Sequence, residues 1–234
     1  MSQPFQIGFF LFPGLTQLDL TGPAQVLTRM SGAKVHFIAK TMDPVPSDCG
    51  LSLVPTLTFD RAPPLHMICV PGGVGVDSVM SDPESLEFIR RQGAQAEYVT
   101  SVCTGSLILG AAGLLTGYQA GCHWAWRDLL PLFGAYPMDE RVVIDRNRIT
   151  GGGVTAGIDF AFRVIEHLRG RDEAEMLRLA LEYDPQPIGM GGTPSTARSS
   201  TLQAVRRRYD DMGMPARREA IARIAAALDV TGAG

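Results

Sequence analysis

The segment 98–112 constrains the fold more than any other part of the chain. It consists of a β-prone run that ends at Val102, a turn of small residues from Cys103 to Ser106, and an apolar, helix-prone run after it. A strand, a sharp turn and a helix in this order form a nucleophile elbow, which lifts one side chain above the carboxyl edge of a parallel sheet. The segment therefore predicts Cys103 as a catalytic nucleophile, and the start of the following helix favours its thiolate form.

Continuous apolar runs alternate with helix-like segments along much of the chain. Such runs are typical of strands buried on both faces of a sheet, and the alternation indicates βαβ units in a parallel sheet with helices on both faces. Pro23 suits the first position of a helix, so a helix is predicted from there to about Met30. Asp82 is the predicted N-cap of a later helix. The other predicted strands are 6–11, 35–39, 66–70, 142–145 and 148–150, and the other predicted helices are 83–95, 158–168 and 173–181.

Three turns follow predicted strands directly. They are Pro13-Gly14, Gly72-Gly73 and Cys103-Thr104. Ligands of open parallel sheets bind outside the carboxyl ends of the strands. The turns therefore predict one site, shared by the three strand ends.

Composition limits the classes of partner and the compartment. The formal net charge is −3 over 234 residues, which argues against a nucleic-acid-binding surface, and Arg206–Arg208 is interpreted as a solvated helix face. The apolar run Leu107–Leu115 is too short to span a membrane, and the start of the chain lacks the basic region of a signal peptide. Four cysteines without paired spacing predict a cytoplasmic protein with reduced thiols and no metal site.

A change in composition divides the chain after residue 183. Residues 1–183 carry the strand and helix signals and are predicted to form one domain. Residues 184–200 are rich in Pro, Gly, Ser and Thr and are predicted to form an extended arm. Helices are predicted from Thr201 to Met212 and from Pro215 to Leu228. The whole segment 184–234 is expected to pack on the domain or on a partner subunit.

Three side chains are candidates to act with Cys103. Asp19 has two interpretations: a carboxylate favoured by the start of a helix, or, in a cleft with Leu18 and Leu20 beside it, an acid with a raised pKa that carries a proton. Thr104 offers a hydroxyl but cannot act as a base near neutral pH. His123 is a possible partner for a Cys–His pair, although a lone histidine is more often structural.

Backbone groups complete the predicted site. The Gly72-Gly73 pair is either a plain turn or, together with the Thr104 amide, a set of N–H donors that bind substrate and stabilise developing negative charge. Gly152 and Val154 belong to a glycine-rich turn before a helix. They are predicted to line the same pocket, because glycine permits close approach of the backbone.

Three segments together resemble the ThiJ/PfpI superfamily. They are Asp19–Pro23, Pro71–Gly73 and Val102–Ser106, and the similarity extends over about residues 6–181. The resemblance implies a class I glutamine-amidotransferase-like fold. This is a flavodoxin-like three-layer sandwich with a mostly parallel central sheet and a nucleophile elbow. It also implies a homodimer, the common assembly in the superfamily.

The resemblance assigns roles to individual residues. The superfamily's nucleophilic cysteine corresponds to Cys103, and the threonine that follows it in one subgroup corresponds to Thr104. The acidic partner, a glutamate in most members and an aspartate in that subgroup, corresponds to Asp19.

Within the superfamily the chain is most similar to members that hydrate isonitriles. This similarity implies the addition of water to an isonitrile, giving an N-substituted formamide through a cysteine thioimidate. It implies no cofactor and no metal, and a small-molecule isonitrile as the partner rather than nucleic acid or membrane. The matching segments are 12–23, 101–117, 123–124, 150–160 and 201–234.

Other activities of the superfamily stay open as alternatives. One is a glyoxalase- or deglycase-like enzyme, although many relatives with such activity have histidine directly after the cysteine, where this chain has Thr104. Another is a non-enzymatic stress or ligand sensor that uses oxidation of Cys103. A third is a regulator with helix-turn-helix motifs, for which the segment after Leu181 is short.

Overall fold

A seven-stranded sheet forms the centre of the protein. The structure is a computed structural model that describes residues 3–186, 188–189 and 191–232, apart from the side chains of 229–232. The strands in chain order are β1 (Phe5–Phe10), β2 (Ala33–Ala39), β3 (Val45–Pro46), β4 (Ser52–Leu53), β5 (Leu57–Thr58), β6 (Met67–Val70), β7 (Tyr98–Val102), β8 (Gln119–Ala120), β9 (Tyr136–Pro137), β10 (Val142–Asp145) and β11 (Arg148–Gly151). The strands of the central sheet have the order β10-β11-β7-β6-β1-β2-β5. Neighbouring strands in it are parallel, except β10 and β11, which form an antiparallel hairpin.

Helices flank this sheet. The group α2, α3 and α4 makes mutual contacts, and α1 packs on α5 in a second group, which gives the predicted flavodoxin-like three-layer arrangement. The helices are α1 (Gln17–Leu27), α2 (Val76–Met80), α3 (Pro83–Gln95), α4 (Gly105–Ala111), the 3₁₀ helix Arg127–Phe133, α5 (Ala156–Arg169), α6 (Arg171–Ala180), α7 (Ser199–Asp211) and α8 (Met214–Gly232).

Local sequence signals agree with most of these elements. Helix α3 has the predicted bounds, and its N-cap Asp82 accepts a hydrogen bond from the Ser85 amide at 3.2 Å. The predicted strand pair before the glycine-rich turn is the hairpin β10–β11. The prediction of an α/β protein with a mostly parallel sheet is thus confirmed.

The prediction for the first helix is wrong. Helix α1 begins at Gln17, six residues before Pro23, and Pro23 lies inside it. Leu20, Ala24 and Leu27 are all buried at helical spacing, so burial of this face determines where the helix begins. Because α1 begins at Gln17, Asp19 lies in the first turn of this helix.

The order of the strands brings the predicted turns together. Strands β7, β6 and β1 are neighbours and run parallel, so the three turns after them meet at one edge of the sheet. The turns after β1 and β6 also bond directly, since the Thr16 amide donates to the Gly72 carbonyl at 2.8 Å. The shared site expected from the sequence lies at this edge.

The C-terminal helices lie on the body of the same chain. Helix α8 contacts α2, α4 and the 3₁₀ helix, and α7 contacts α8. Residues 187 and 190 of the predicted arm, and the last two residues of the chain, lie outside the described residues. In the part that the structure describes, no helix has the length and apolar character needed to cross a membrane.

Candidate active site

Cys103 occupies a strained turn that the backbone holds rigidly. Its φ angle is 60°, in the left-handed region that costs a non-glycine residue roughly 1–2 kcal/mol. Its amide donates to the carbonyls of Gly151 and Gly152, at 3.1 and 2.8 Å. A Cβ on Gly105 would stand 2.0 Å from the Val70 carbonyl oxygen, so only glycine permits the sharp start of α4 there. The predicted elbow is present.

Asp19 is a fully buried carboxyl group beside this turn. Its Oδ2 accepts a hydrogen bond from the Gly72 amide at 3.0 Å. Its Oδ1 is buried and has no hydrogen-bond partner in the described part of the chain. Burial raises the pKa of Asp19 to about 7, the interaction with the Cys103 thiol and the Gly72 amide oppose this rise, and the charge of Asp48 adds to it. Asp19 therefore gains and loses a proton near neutral pH.

The thiol and the carboxyl group share one protonation equilibrium. Burial, and then the negative charge of Asp19, raise the pKa of the Cys103 thiol well above its usual range. The Thr104 amide favours the thiolate, as predicted for the start of a helix, but it is the weaker influence. The start of α4 thus acts in the predicted direction, but burial and the charge of Asp19 outweigh it and favour the thiol. Above about pH 7 the pair holds one proton, on the sulfur, and the Asp19 carboxylate is positioned to accept it when the sulfur reacts.

The glycine pair is bonded into the site rather than left free. The Gly72 amide donates to Asp19, and the Gly73 amide donates to Thr104 Oγ1 at 3.0 Å. A Cβ on Gly72 would lie 2.5 Å from both the amide nitrogen and Oγ1 of Thr104. Gly72 therefore positions the acid and the elbow. The amides of Gly72 and Gly73 are bonded to Asp19 and Thr104 here, and the role of both as donors to substrate stays a prediction.

A cavity of about 440 Å³ opens onto Cys103. Five of the predicted residues line it, namely Cys103, Thr104, Gly73, His123 and Val154. The described residues contain no group of three His, Cys, Asp or Glu side chains placed to hold a metal ion. The remaining lining residues are Thr16, Asp48, Val74, Trp126, Tyr209, Met212, Met214 and Arg217.

Gly152 has a different position from the one predicted. It does not line the cavity; its carbonyl accepts from the Cys103 amide, and its own amide donates to the Arg141 carbonyl at 2.9 Å. It thus supports the nucleophile from behind. Val154, two residues later, reaches the cavity wall.

His123 lies in the cavity wall as a neutral ring. Burial lowers the pKa of His123 to about 4. Its Nδ1 accepts from the Ala125 amide at 3.3 Å, and the described residues show no hydrogen bond between it and Cys103. Its position therefore favours a packing role over a Cys–His pair.

Residues far along the chain complete the cavity, and the sequence patterns do not indicate them. Tyr209, Met212 and Met214 come from the C-terminal helices, more than 100 residues after the elbow. Arg206–Arg208 gives the only notable local pattern, and it marks the solvated face of α7.

Comparison with known proteins gives consistent results. The sequence profile of the DJ-1/PfpI family matches residues 6–167. An isonitrile hydratase of Pseudomonas putida is 55% identical over 203 residues, which cover 87% of this chain and 89% of the relative. The transcriptional regulator GbdR of Pseudomonas aeruginosa is 33% identical, but the match covers only 48% of its length.

Solved structures agree with the sequence comparisons. A ThiJ/PfpI family protein from Pseudomonas syringae superposes with a TM-score of 0.89 at 45% identity, covering 95% of this chain and 90% of that one. The match includes the elbow and extends well beyond the family profile. The chain belongs to the DJ-1/PfpI family.

Proposed function

We propose that the protein adds water to an isonitrile and releases an N-substituted formamide. The observation that carries this proposal is the buried pair of Cys103 and Asp19, which holds one proton that can move near neutral pH. The terminal carbon of an isonitrile needs both a soft nucleophile and a proton, and the pair supplies the two together. The 55% identity to an isonitrile hydratase supports the same activity.

In the first step the sulfur of Cys103 attacks the terminal carbon. Asp19 accepts the thiol proton and passes it to that carbon, so Asp19 acts as base and then as acid. A C–S bond forms, the S–H bond breaks, and the product is a thioimidate, Cys–S–CH=N–R. The free Oδ1 of Asp19 is the oxygen available for this transfer, because Oδ2 holds the Gly72 amide.

In the second step water adds to the carbon of the thioimidate. Asp19, again a carboxylate, takes a proton from the water and passes it to the nitrogen, which gives the tetrahedral adduct Cys–S–CH(OH)–NH–R. The C–S bond then breaks, the hydroxyl proton passes through Asp19 to the sulfur, and R–NH–CHO leaves. The Thr104 amide beside the sulfur stabilises charge at this point, and Thr104 Oγ1 holds the Gly73 amide in place.

We also propose a cytoplasmic homodimer, as expected from the sequence. All four cysteines are free thiols, which suits a reducing compartment. Light scattering on the purified protein tests the assembly: a mass near twice 25.2 kDa supports a dimer, and a mass near 25.2 kDa excludes it.

Turnover of phenyl isonitrile tests the function. The purified protein should form N-phenylformamide, and Cys103→Ala should reduce this by at least about 10³-fold. Cys49→Ala is the matched control, since Cys49 is an exposed thiol outside the cavity, and it should keep wild-type turnover. Methylglyoxal in a parallel assay addresses the glyoxalase alternative. Turnover of methylglyoxal without formamide from the isonitrile would refute the proposal.

A further inference from the structure

The C-terminal helices form a roof over the cysteine. Tyr209 near the end of α7, Met212 in the turn, and Met214 and Arg217 at the start of α8 all line the cavity that contains Cys103. Nothing in the proposed chemistry uses these side chains. Because they share the cavity with the sulfur, they offer a surface that the R group of a bound isonitrile could meet.

Two consecutive arginines attach the roof to the body. Arg217 donates to the Val74 carbonyl at 2.8 Å and pairs with Asp77, while Arg218 donates to the Ala125 carbonyl at 2.9 Å and pairs with Asp128. The two anchors reach different sides of the cavity, after β6 and before the 3₁₀ helix. The roof is thus held in one position over Cys103 rather than resting on a single contact.

The roof joins an aromatic surface. The ring of Tyr209 lies 5.9 Å from that of Trp124 and 6.3 Å from that of His123, and Arg217 lies 5.2 Å above the ring of Trp126. The charge of Arg217 is neutralised by Asp77, and His123 is uncharged near neutral pH. The rings that line this side of the cavity are those of Tyr209, His123 and Trp126, and all three are uncharged near neutral pH.

Charge in the cavity also restricts the ligand. Among the described residues that line the cavity, Asp48 is the one acidic side chain, and the one cation, Arg217, is already paired with Asp77. A carboxylate on the R group would meet Asp48 without a free cation to balance it. An uncharged R group avoids this repulsion.

We infer that Tyr209, with Met212 and Met214, selects the substrate, and that the preferred class is isonitriles whose R group is an uncharged aromatic ring. The inference rests on the proposed function. An aromatic R group could stack on the ring of Tyr209, and methionine side chains adapt to the outline of a flat group. A methyl isonitrile has no ring that could stack on Tyr209.

The test compares phenyl isonitrile with methyl isonitrile. Tyr209→Ala should lower kcat/KM for phenyl isonitrile about tenfold and leave the value for methyl isonitrile within about twofold. Tyr209→Phe keeps the ring and should retain the preference. Tyr136→Ala removes an exposed tyrosine away from the cavity and should change neither value. Equal losses on both substrates, or no loss on phenyl isonitrile, overturn the inference.

Binding of the products separates this inference from the proposed function. If the wild-type protein turns over neither isonitrile, the proposed function fails, and calorimetric titration with N-phenylformamide and N-methylformamide still tests the roof. Tighter binding of the phenyl compound that Tyr209→Ala abolishes and Tyr209→Phe keeps supports the roof as a selector. Equal binding of the two compounds by the wild-type protein overturns it.

Discussion

The elbow and the roof face the same cavity but are built in opposite ways. Cys103, Asp19 and Gly72 are buried, and backbone hydrogen bonds to neighbouring strand ends hold the elbow and the acid. The roof is half exposed, with Met212 at 64%, and side-chain ion pairs attach it. The reacting groups thus lie in the elbow, where the fold tolerates little change. The residues proposed to select the substrate lie in the roof, where side chains can be exchanged without disturbing the sheet.

The largest predicted loss of kcat follows from a substitution of Asp19. Asp19→Asn keeps an acceptor for the Gly72 amide but cannot move a proton, so kcat should fall about 10²- to 10⁴-fold on phenyl and methyl isonitriles alike. Steady-state kinetics on both substrates measures the loss. A loss restricted to one substrate would place Asp19 in selection and break the division between the two regions.

The stability of Asp19→Asn as a function of pH is a separate test of the raised pKa of Asp19. Because the pKa of Asp19 is raised to about 7, the folded protein keeps a proton that the unfolded chain releases above about pH 4. Wild-type stability therefore falls between about pH 4 and pH 7, by an amount on the order of 4 kcal/mol at most. Asp19→Asn removes this penalty. It should be more stable than wild type at pH 8 and not at pH 4, as measured by denaturant unfolding.

Gly72→Ala should have the next largest effect. The added Cβ would lie 2.5 Å from the Thr104 amide nitrogen and 3.0 Å from Asp19 Oδ2, so the acid and the elbow must move apart. A displacement of this kind lowers kcat by about 10²-fold or more. Gly192→Ala is the control, because no atom of the described residues lies within 4 Å of the added atom. If Gly72→Ala kept the wild-type kcat, the elbow would tolerate change as the roof does, and the proposed difference between the two regions would be wrong.

The effect of pH on kcat/KM should be smaller than the effects of these substitutions and should be the same for all substrates. The active pair of Cys103 and Asp19 holds one proton; below about pH 7 it binds a second and the nucleophile is lost. The value of kcat/KM should therefore rise about tenfold per pH unit below pH 7 and level off above it. Profiles with phenyl and methyl isonitrile should coincide. A flat profile from pH 5 to pH 8 would contradict the role of Asp19.

Local signals explain why the elbow was predictable from the sequence. The strand that ends at Val102, the small residues after it and the glycine pair at 72–73 each specify a turn within a few residues, and the parallel sheet brings them together. Helix α1 was misplaced because Pro23 matched the rule for a first helical position, while burial of Leu20 and Ala24 decided the actual start. The free Oδ1 of Asp19 depends on packing and has no signature in the sequence.

The roof was not predictable because its role depends on contacts over more than 100 residues. The helices 201–212 and 215–228 were expected from the sequence, and the structure has α7 at Ser199–Asp211 and α8 at Met214–Gly232. Their place above Cys103 follows from ion pairs with Asp77 and Asp128, whose partners no local pattern identifies. Helix propensity thus determines where α7 and α8 form, and ion pairs with distant residues determine which part of the protein they cover.

The smallest predicted effect concerns the attachment of the roof. Arg218→Ala removes the pair with Asp128 and the bond to the Ala125 carbonyl, and exposed pairs of this kind contribute about 0.2–1 kcal/mol. The KM for phenyl isonitrile should therefore rise about two- to fivefold, with kcat unchanged. Arg223→Ala is the matched control, because the ion pair that the structure describes for Arg223 is with Glu219 of the same helix, and it should leave KM unchanged. A fall in kcat on methyl isonitrile would mean that the roof also positions the reacting groups, and the two regions would then have to be treated as one site.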